Sequence, residues 1–282
     1  MKTARALPLL MYHHVSPSPG LVTLSPQNFR AQMSWLARNG WRTIGADELA
    51  AFLSGQPLGE KSLMLTFDDG WLDNWLYAHP ILQEFGLNAV LFLITGWLGE
   101  GPPRALRKVG TGETAANSIT AMPAHRVCME KVKTGGADDV MLRWSEVQVM
   151  RAAGTFEFHS HTHTHTRWDK LVGDPSERAA RLAEDLAASR RALQKHLGEV
   201  SGHLCWPQGY YDADWQGRAH AAGFTYLYTV MPGTCTPDTA ADAIPRIVVK
   251  DRNAGWFGRR LWLYRQPALT RAYLAVQGKS AA

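Results

Sequence analysis

The sequence predicts an α/β fold, a distorted (β/α) barrel formed as a single domain over residues 1–282. Two observations lead there. Short apolar runs alternate with longer stretches of helical periodicity, the order that parallel strands joined by crossover helices require. An acidic pair and a histidine cluster each stand directly after an apolar run. In such barrels the active site forms at the ends of the strands, because loops there can vary without disturbing the core.

The elements follow in order. Leu7 to Val15 reads as the first strand. Ser25 is placed to cap a helix with Pro26 at its first position, and Phe29, Met33 and Leu36 recur at i, i+4 and i+7 as its apolar face. Ser62 to Phe67 is a short apolar strand. Trp71 to Phe85 reads as a helix ended by Gly86, and Asn88 to Ile94 as the next strand. Residues 97–140 are rich in Gly, Pro, Thr, Lys and Arg and have little periodicity. They read as an irregular insertion over one end of the barrel, either a lid or a tolerated surface loop. Phe156 to Ser160 is a strand that feeds the histidines. A long helix runs from about Pro175 to Leu197, with Leu182, Leu186 and Leu193 on one face. Strands near His203 to Trp206, Thr225 to Val230 and Arg246 to Val249 complete the set. The last segment, about 251–282, mixes aromatic and arginine residues between Gly255 and Arg265. It reads either as a helix docked on the core with a basic outer face or as a peripheral contact with an anionic membrane surface.

Composition narrows the class. The chain is 45% hydrophobic and 20% charged, ordinary for a globular protein, and no run is long enough to span a membrane. A formal charge of +5 is modest. It favours an acidic partner such as a phosphorylated glycan or an anionic membrane; no nucleic acid is expected, and nothing bears on oligomeric state. The three cysteines, Cys128, Cys205 and Cys235, are odd in number and widely spaced. They form neither a zinc knuckle nor a disulfide framework and fit a reducing compartment. The basic, apolar N-terminus is broken by Pro8 and runs straight into histidines, so it reads as a core strand rather than a leader. The expected location is the cytoplasm, at the inner face of the membrane if the contact is peripheral.

The chemistry sits in two clusters. Glu157 to Thr166 carries His159, His161, His163 and His165, four of the eleven histidines. A neutral imidazole binds a cation without a charge penalty. A catalytic site takes three protein ligands and leaves a position open, and residues i and i+4 of an extended segment share a face. The pairs His159/His163 and His161/His165 both satisfy that grip. Asp68-Asp69-Gly70 alone is an ordinary turn signal. Beside a histidine cluster, one carboxylate can hold a metal while its neighbour serves as base toward a metal-bound water.

These motifs resemble those of the polysaccharide deacetylase family. Thr66 to Gly70 is similar to the family's first motif, and Ser160 to His165 to its second, a His-Ser/Thr-x-x-His metal grip. Leu204 to Tyr211 resembles the third motif in the form found among biofilm poly-N-acetylglucosamine deacetylases. The resemblance runs from about Leu7 to Val249. It implies that Asp68 is the base and that Asp69, His161 and His165 hold a divalent metal, with zinc the default for such a donor set. Glu157, Ser160 and Thr162 select this register, with His163 pointing away and His159 lining the cleft. The family's bracing Arg is replaced by Cys205, and Arg246 either takes over that work or is a surface charge. Gln208 stands where an aromatic is common, and its backbone amide would help hold the oxyanion; the backbone near Gly209 and Tyr210 is expected to do the same. No histidine follows His220, so the usual late acid is missing. Leu10 to His14 resembles the permuted arrangement in which the acid comes from the first strand, which makes His13 the acid and turns His14 to the other face. The alternative for His13 is a satisfied core histidine. Substrate contacts are expected at Trp71, Pro207, Gly209, Tyr210, Tyr211 and Arg246. The implied activity is metal-dependent removal of N-acetyl groups from an N-acetylglucosamine-like sugar in a glycan or lipid-linked glycan. The alternatives are an amide or ester hydrolase on a non-sugar substrate, and a non-catalytic glycan-binding relative.

Overall fold

The structure, a computed structural model, describes residues 2–106 and 122–278. Met1, the middle of the expected insertion and the last four residues of the C-terminal segment lie outside the described residues. The elements in chain order are β1 (Leu9–Tyr12), β2 (His14–Val15), β3 (Thr23–Leu24), α1 (Pro26–Arg38), β4 (Arg42–Thr43), α2 (Ala46–Leu53), β5 (Ser62–Asp69), α3 (His79–Phe85), β6 (Ala89–Leu93), α4 (His125–Lys133), α5 (Trp144–Ala152), β7 (Phe156–Ser160), α6 (Trp168–Leu171), α7 (Pro175–Leu197), β8 (His203–Cys205), α8 (Ala213–Ala221), β9 (Tyr226–Pro232), β10 (Ile244–Val248), α9 (Ala254–Tyr264) and α10 (Pro267–Val276).

Eight strands form one parallel sheet in the order β1-β10-β9-β8-β7-β6-β5-β4. β1 also pairs with β5, Leu9 to Tyr12 lying opposite Met64 to Phe67, so the sheet closes into a barrel. Two irregularities distort it. β7 meets β8 at the single pair Ser160–Leu204, and the register slips between Ile244 and Arg246 against β9.

Alternation along the strands sorts the apolar residues into two layers. Leu9, Met64, Val90, Phe92, Cys205, Tyr228 and Ile244 form one cluster, joined by Leu49 and Phe52 of α2. Leu10, Leu65, Phe67, Leu91 and Ile247 turn the other way, onto Phe29, Met33 and Leu36 of α1 and Phe257 and Leu261 of α9. Each fully buried side chain of this size contributes about 1.5–3 kcal/mol.

The capped helices begin where the sequence signals place them. The Ser25 side chain accepts from the Asn28 amide ahead of α1, and Asp174 accepts from Glu177 ahead of α7, which ends at left-handed Gly198. Three expectations need correction. The first strand breaks at His13, between β1 and β2. The helix expected from Trp71 starts later, as a π-helical turn over Asn74–Ala78 that runs into α3. The insertion is not irregular throughout: it contains α4 and a 3-10 turn at Ala137–Asp139, and Met122, Cys128 and Val140 are buried in the core.

The C-terminal segment docks on the core. Phe257, Leu261 and Tyr264 are buried, and Phe257 meets Trp35 edge-on at 6.1 Å. Gly258 is required there, because a Cβ would overlap the Trp35 ring. Arg260 lies over the Trp256 and Tyr273 rings, which leaves Trp262 as the exposed aromatic of α9. Among the described residues no helix is long and apolar enough to cross a membrane.

Candidate active site

Asp68 and Asp69 end β5, His161 follows β7 directly, and His165 lies in the turn beyond. The described residues include four non-glycine positions with positive φ, namely Asp69, Thr162, His165 and Gln208, and all four fall in the motif segments. Backbone held in this costly region persists only where surrounding contacts enforce it, and it concentrates at functional sites.

Around the histidine turn those contacts can be named. Asp185 of α7, buried, accepts from the amides of His163 and Thr164 at 2.9 and 2.8 Å. It also accepts from the Thr164 hydroxyl at 2.9 Å and the Trp168 indole at 3.0 Å. The Ser160 hydroxyl meets Ser189 at 2.8 Å and accepts from the Thr162 amide. The Thr162 hydroxyl accepts from the His165 amide.

This turn aims His161 and His165 at Asp69. Their Nε2 atoms lie 3.4 and 3.8 Å from Asp69 Oδ1, and one donor atom from each of the three residues falls within 4.8 Å of the others. His161 Nδ1 donates to the Cys205 carbonyl at 2.7 Å, which leaves Nε2 as the ligating nitrogen. Burial, together with the His161 charge, pushes the His165 imidazole down to about 4, so it is a neutral donor at ordinary pH. Burial would raise the Asp69 carboxyl, but the hydrogen bond from His161 and the neighbouring imidazoles hold it below its usual range.

A second trio, Asp68, His161 and Cys205, is equally compact but a poorer cation site. Both Asp68 oxygens are engaged by Arg246, at 2.6 and 2.8 Å, and burial raises the Cys205 thiol away from the thiolate a metal needs. One carboxylate and two imidazoles, oriented by second partners, fit a divalent transition metal with an open position.

Arg246 is fully buried. Its Nε donates to the Thr229 carbonyl at 2.9 Å, and Nη2 lies 3.0 Å from the Cys205 sulfur. It therefore braces Asp68 and is neither a surface charge nor a substrate contact. Burial would raise the Asp68 carboxyl, and the Arg246 guanidinium overcomes that and keeps it ionised.

His13 occupies the break between β1 and β2. The Asn74 side chain, at the start of the π-helical turn, donates to the His13 carbonyl at 2.9 Å and fixes that break. His13 Nε2 is 3.9 Å from Asp68 Oδ2, with the imidazole 22% exposed. That is too far for a hydrogen bond, and it leaves both groups able to reach a substrate. Burial lowers the His13 imidazole, partly offset by Asp68 and Asp69.

The other histidines leave the cluster. His163 Nδ1 meets Thr95 at 2.9 Å. His159 lines a separate cavity of about 410 Å³ with Glu157 and Ser201 rather than the cleft. His14 is buried against Asp73 at 2.6 Å.

The expected substrate contacts change most. Trp71 is fully buried and cannot stack on a ligand; its indole donates to Asp69 Oδ2 at 2.7 Å. Pro207 is buried. The amides of Gly209 and Tyr210 donate to Trp206 and Pro207, so neither is free for an oxyanion. Gly209, at φ 70°, lies where a Cβ would overlap Val230. The Gln208 amide, in a left-handed conformation, makes no hydrogen bond among the described residues. The Tyr210 ring is covered by Arg167 at 3.9 Å and meets Trp215 edge-on at 5.2 Å, whereas Tyr211 is half-buried with no ring partner among the described residues.

Comparison with known proteins bears on the family and the fold. A family model described as polysaccharide deacetylase matches residues 55–227. A protein of Bacillus subtilis (strain 168), YxkH, named among the polysaccharide deacetylases, is 24% identical over 250 residues, covering 88% of this chain and 73% of its own. The poly-beta-1,6-N-acetyl-D-glucosamine N-deacetylase of Staphylococcus aureus (strain MSSA476) is 23% identical over 233 residues, covering 81% of this chain and 68% of its own. The structure of IcaB from Ammonifex degensii superposes with a TM-score of 0.70 at 24% identity, over 92% of this chain and 97% of that one.

Proposed function

The chain belongs to the polysaccharide deacetylase family, and on that premise we propose that it removes N-acetyl groups from N-acetylglucosamine units of a glycan, free or lipid-linked. The observation that carries this reading is the pair of adjacent aspartates divided between two tasks. Asp69 faces two imidazoles, while Asp68 faces a guanidinium and His13.

Asp69, His161 and His165 would hold the cation, with zinc the default and cobalt, nickel or iron compatible with the same donors. When bound, such a cation polarises an acetamide carbonyl and acidifies water. Asp68, kept ionised by Arg246, takes the proton of the attacking water. The free Gln208 amide donates to the oxyanion that forms. The proton that Asp68 takes from the water is handed on to His13, whose Nε2 lies 3.9 Å from Asp68 Oδ2, and the imidazolium so formed passes it to the departing nitrogen, because an amine is a poor leaving group until protonated. Tyr211 is left as the aromatic contact for a sugar ring. The setting we assign is the cytoplasm, in keeping with three buried free cysteines, with peripheral membrane contact through the exposed Trp262.

The test is acetate release from N-acetylated glucosamine oligomers, lipid-linked ones included, with and without chelator. Release that chelator stops and Asp68→Asn abolishes supports the reading. Glycan binding without acetate release points to a non-catalytic relative, and release from simple esters alone points to an esterase.

A further inference from the structure

Behind Asp69, on the side away from the two imidazoles, lies a chain of buried and half-buried groups that the proposed reaction does not use. Trp71 Nε1 donates to Asp69 Oδ2 at 2.7 Å. Oδ1, the atom nearest His161 and His165, is thereby left as the ligating oxygen. The indole is held on several sides. His14 stacks on it at 4.7 Å and 26°, His125 meets it edge-on at 5.5 Å, and Trp97, which also packs on His165, lies 6.2 Å away. The His14 ring is fixed in turn by Asp73 at Nδ1, 2.6 Å, and by His125 at Nε2, 3.1 Å. Trp71, Asp73 and His14 are all at most 1% exposed. His125 is the first residue of α4, within the insertion.

We propose that Trp71 is the positioning residue for the cation ligand Asp69, and that His14 and His125 clamp its indole so that the docking of α4 and the aim of Asp69 are coupled. The physical need is plain. Asp69 sits at φ 77°, and its carboxylate could turn either oxygen, or both, toward the cation. A donor on Oδ2 selects one. Outer partners of this kind cost about 10- to 100-fold in metal affinity when removed. The inference rests on the cation site proposed above.

The experiment measures zinc affinity of the full chain by competition with a chromophoric chelator, alongside urea unfolding of the metal-free protein. Trp71 is replaced by Phe and, separately, by its benzothiophene isostere, which keeps the shape and lacks the N–H. Trp75→Phe is the control, since it removes a buried indole whose N–H serves the Arg104 carbonyl instead. Both Trp71 variants should bind zinc about 10- to 100-fold more weakly, with the isostere unfolding as the wild type does. His125→Ala should weaken zinc in the same direction by a smaller factor. Wild-type affinity in the isostere, or equal weakening in Trp75→Phe, overturns the positioning role. Wild-type affinity in His125→Ala overturns the coupling to α4. If the unmodified chain binds zinc no better than His161→Ala, the cation site itself is wrong and this inference falls with it.

Discussion

Replacing Arg246 by Met tests the division of labour between the aspartates. The guanidinium is fully buried and donates to both Asp68 oxygens, to the Thr229 carbonyl and to the Thr66 hydroxyl. Methionine fills much of the volume and supplies no counter-charge. Removing one partner of a buried pair strands the other, at a cost of about 3–5 kcal/mol. The sign of the pH effect follows from the same pair. With Arg246 present, the Asp68 carboxyl lies below its ordinary value, so the pair stabilises the fold above about pH 3.8 and loses that contribution as pH falls. With Arg246 gone, burial is opposed only by the His161 and His13 imidazoles and the carboxyl moves up, so a larger share of the base is protonated. Acetate release should fall by about 10²–10⁴, the range of a lost general base, and recover in part as pH rises. Asp68→Asn added to Arg246→Met should restore stability relative to Arg246→Met alone, since no stranded charge remains. Urea unfolding and a pH–rate profile measure both effects. A variant within about 1 kcal/mol of the wild type, with an unchanged profile, would refute the bracing role.

Three further outcomes follow from the geometry. His13→Ala should slow amide hydrolysis by about 10²–10⁴ and slow an aryl ester far less, because a phenolate leaves unprotonated; equal losses on both would return His13 to a core role. His203, buried and stacked on Tyr226 at 4.5 Å, is pushed down to about 2 by burial and by His159. The unfolded chain takes up a proton at this residue below about pH 6.5 that the folded one refuses, so the contribution of His203 to stability should drop by about 2 kcal/mol between about pH 7 and about pH 5. His203→Phe should flatten that slope in urea melts at the two pH values. Gly209→Ala should destabilise by about 2–4 kcal/mol through overlap with Val230 and a left-handed backbone, read as a lower unfolding midpoint.

The alternating pattern made the barrel legible, because parallel strands and crossover helices carry different periods and capped ends. Asp69 and His161 are legible for the same local reason, since each stands at or just past a strand end, and His165 follows His161 at the i+4 spacing. The irregular first strand, the π-helical turn and α4 were not, because tertiary contacts decide them. Asn74 breaks the strand by holding the His13 carbonyl, and α4 is kept in place by a His14–His125 contact across 111 residues. Trp71 reads as a substrate contact because a sequence does not tell which face of an indole is covered. The sequence carries one signal of this arrangement: Asp185 and Ser189 fall within the apolar stripe of Leu182, Leu186 and Leu193 on α7. An acid on a buried face needs partners, and those partners proved to be the amides of the histidine turn.

The most direct measurement is an anomalous difference map from crystals of the zinc-loaded chain. The account predicts one strong peak about 2.0–2.2 Å from Asp69 Oδ1 and from Nε2 of both His161 and His165, with Asp68 still paired to Arg246. A peak instead among Asp68, His161 and Cys205, or none within reach of Asp69, would contradict it.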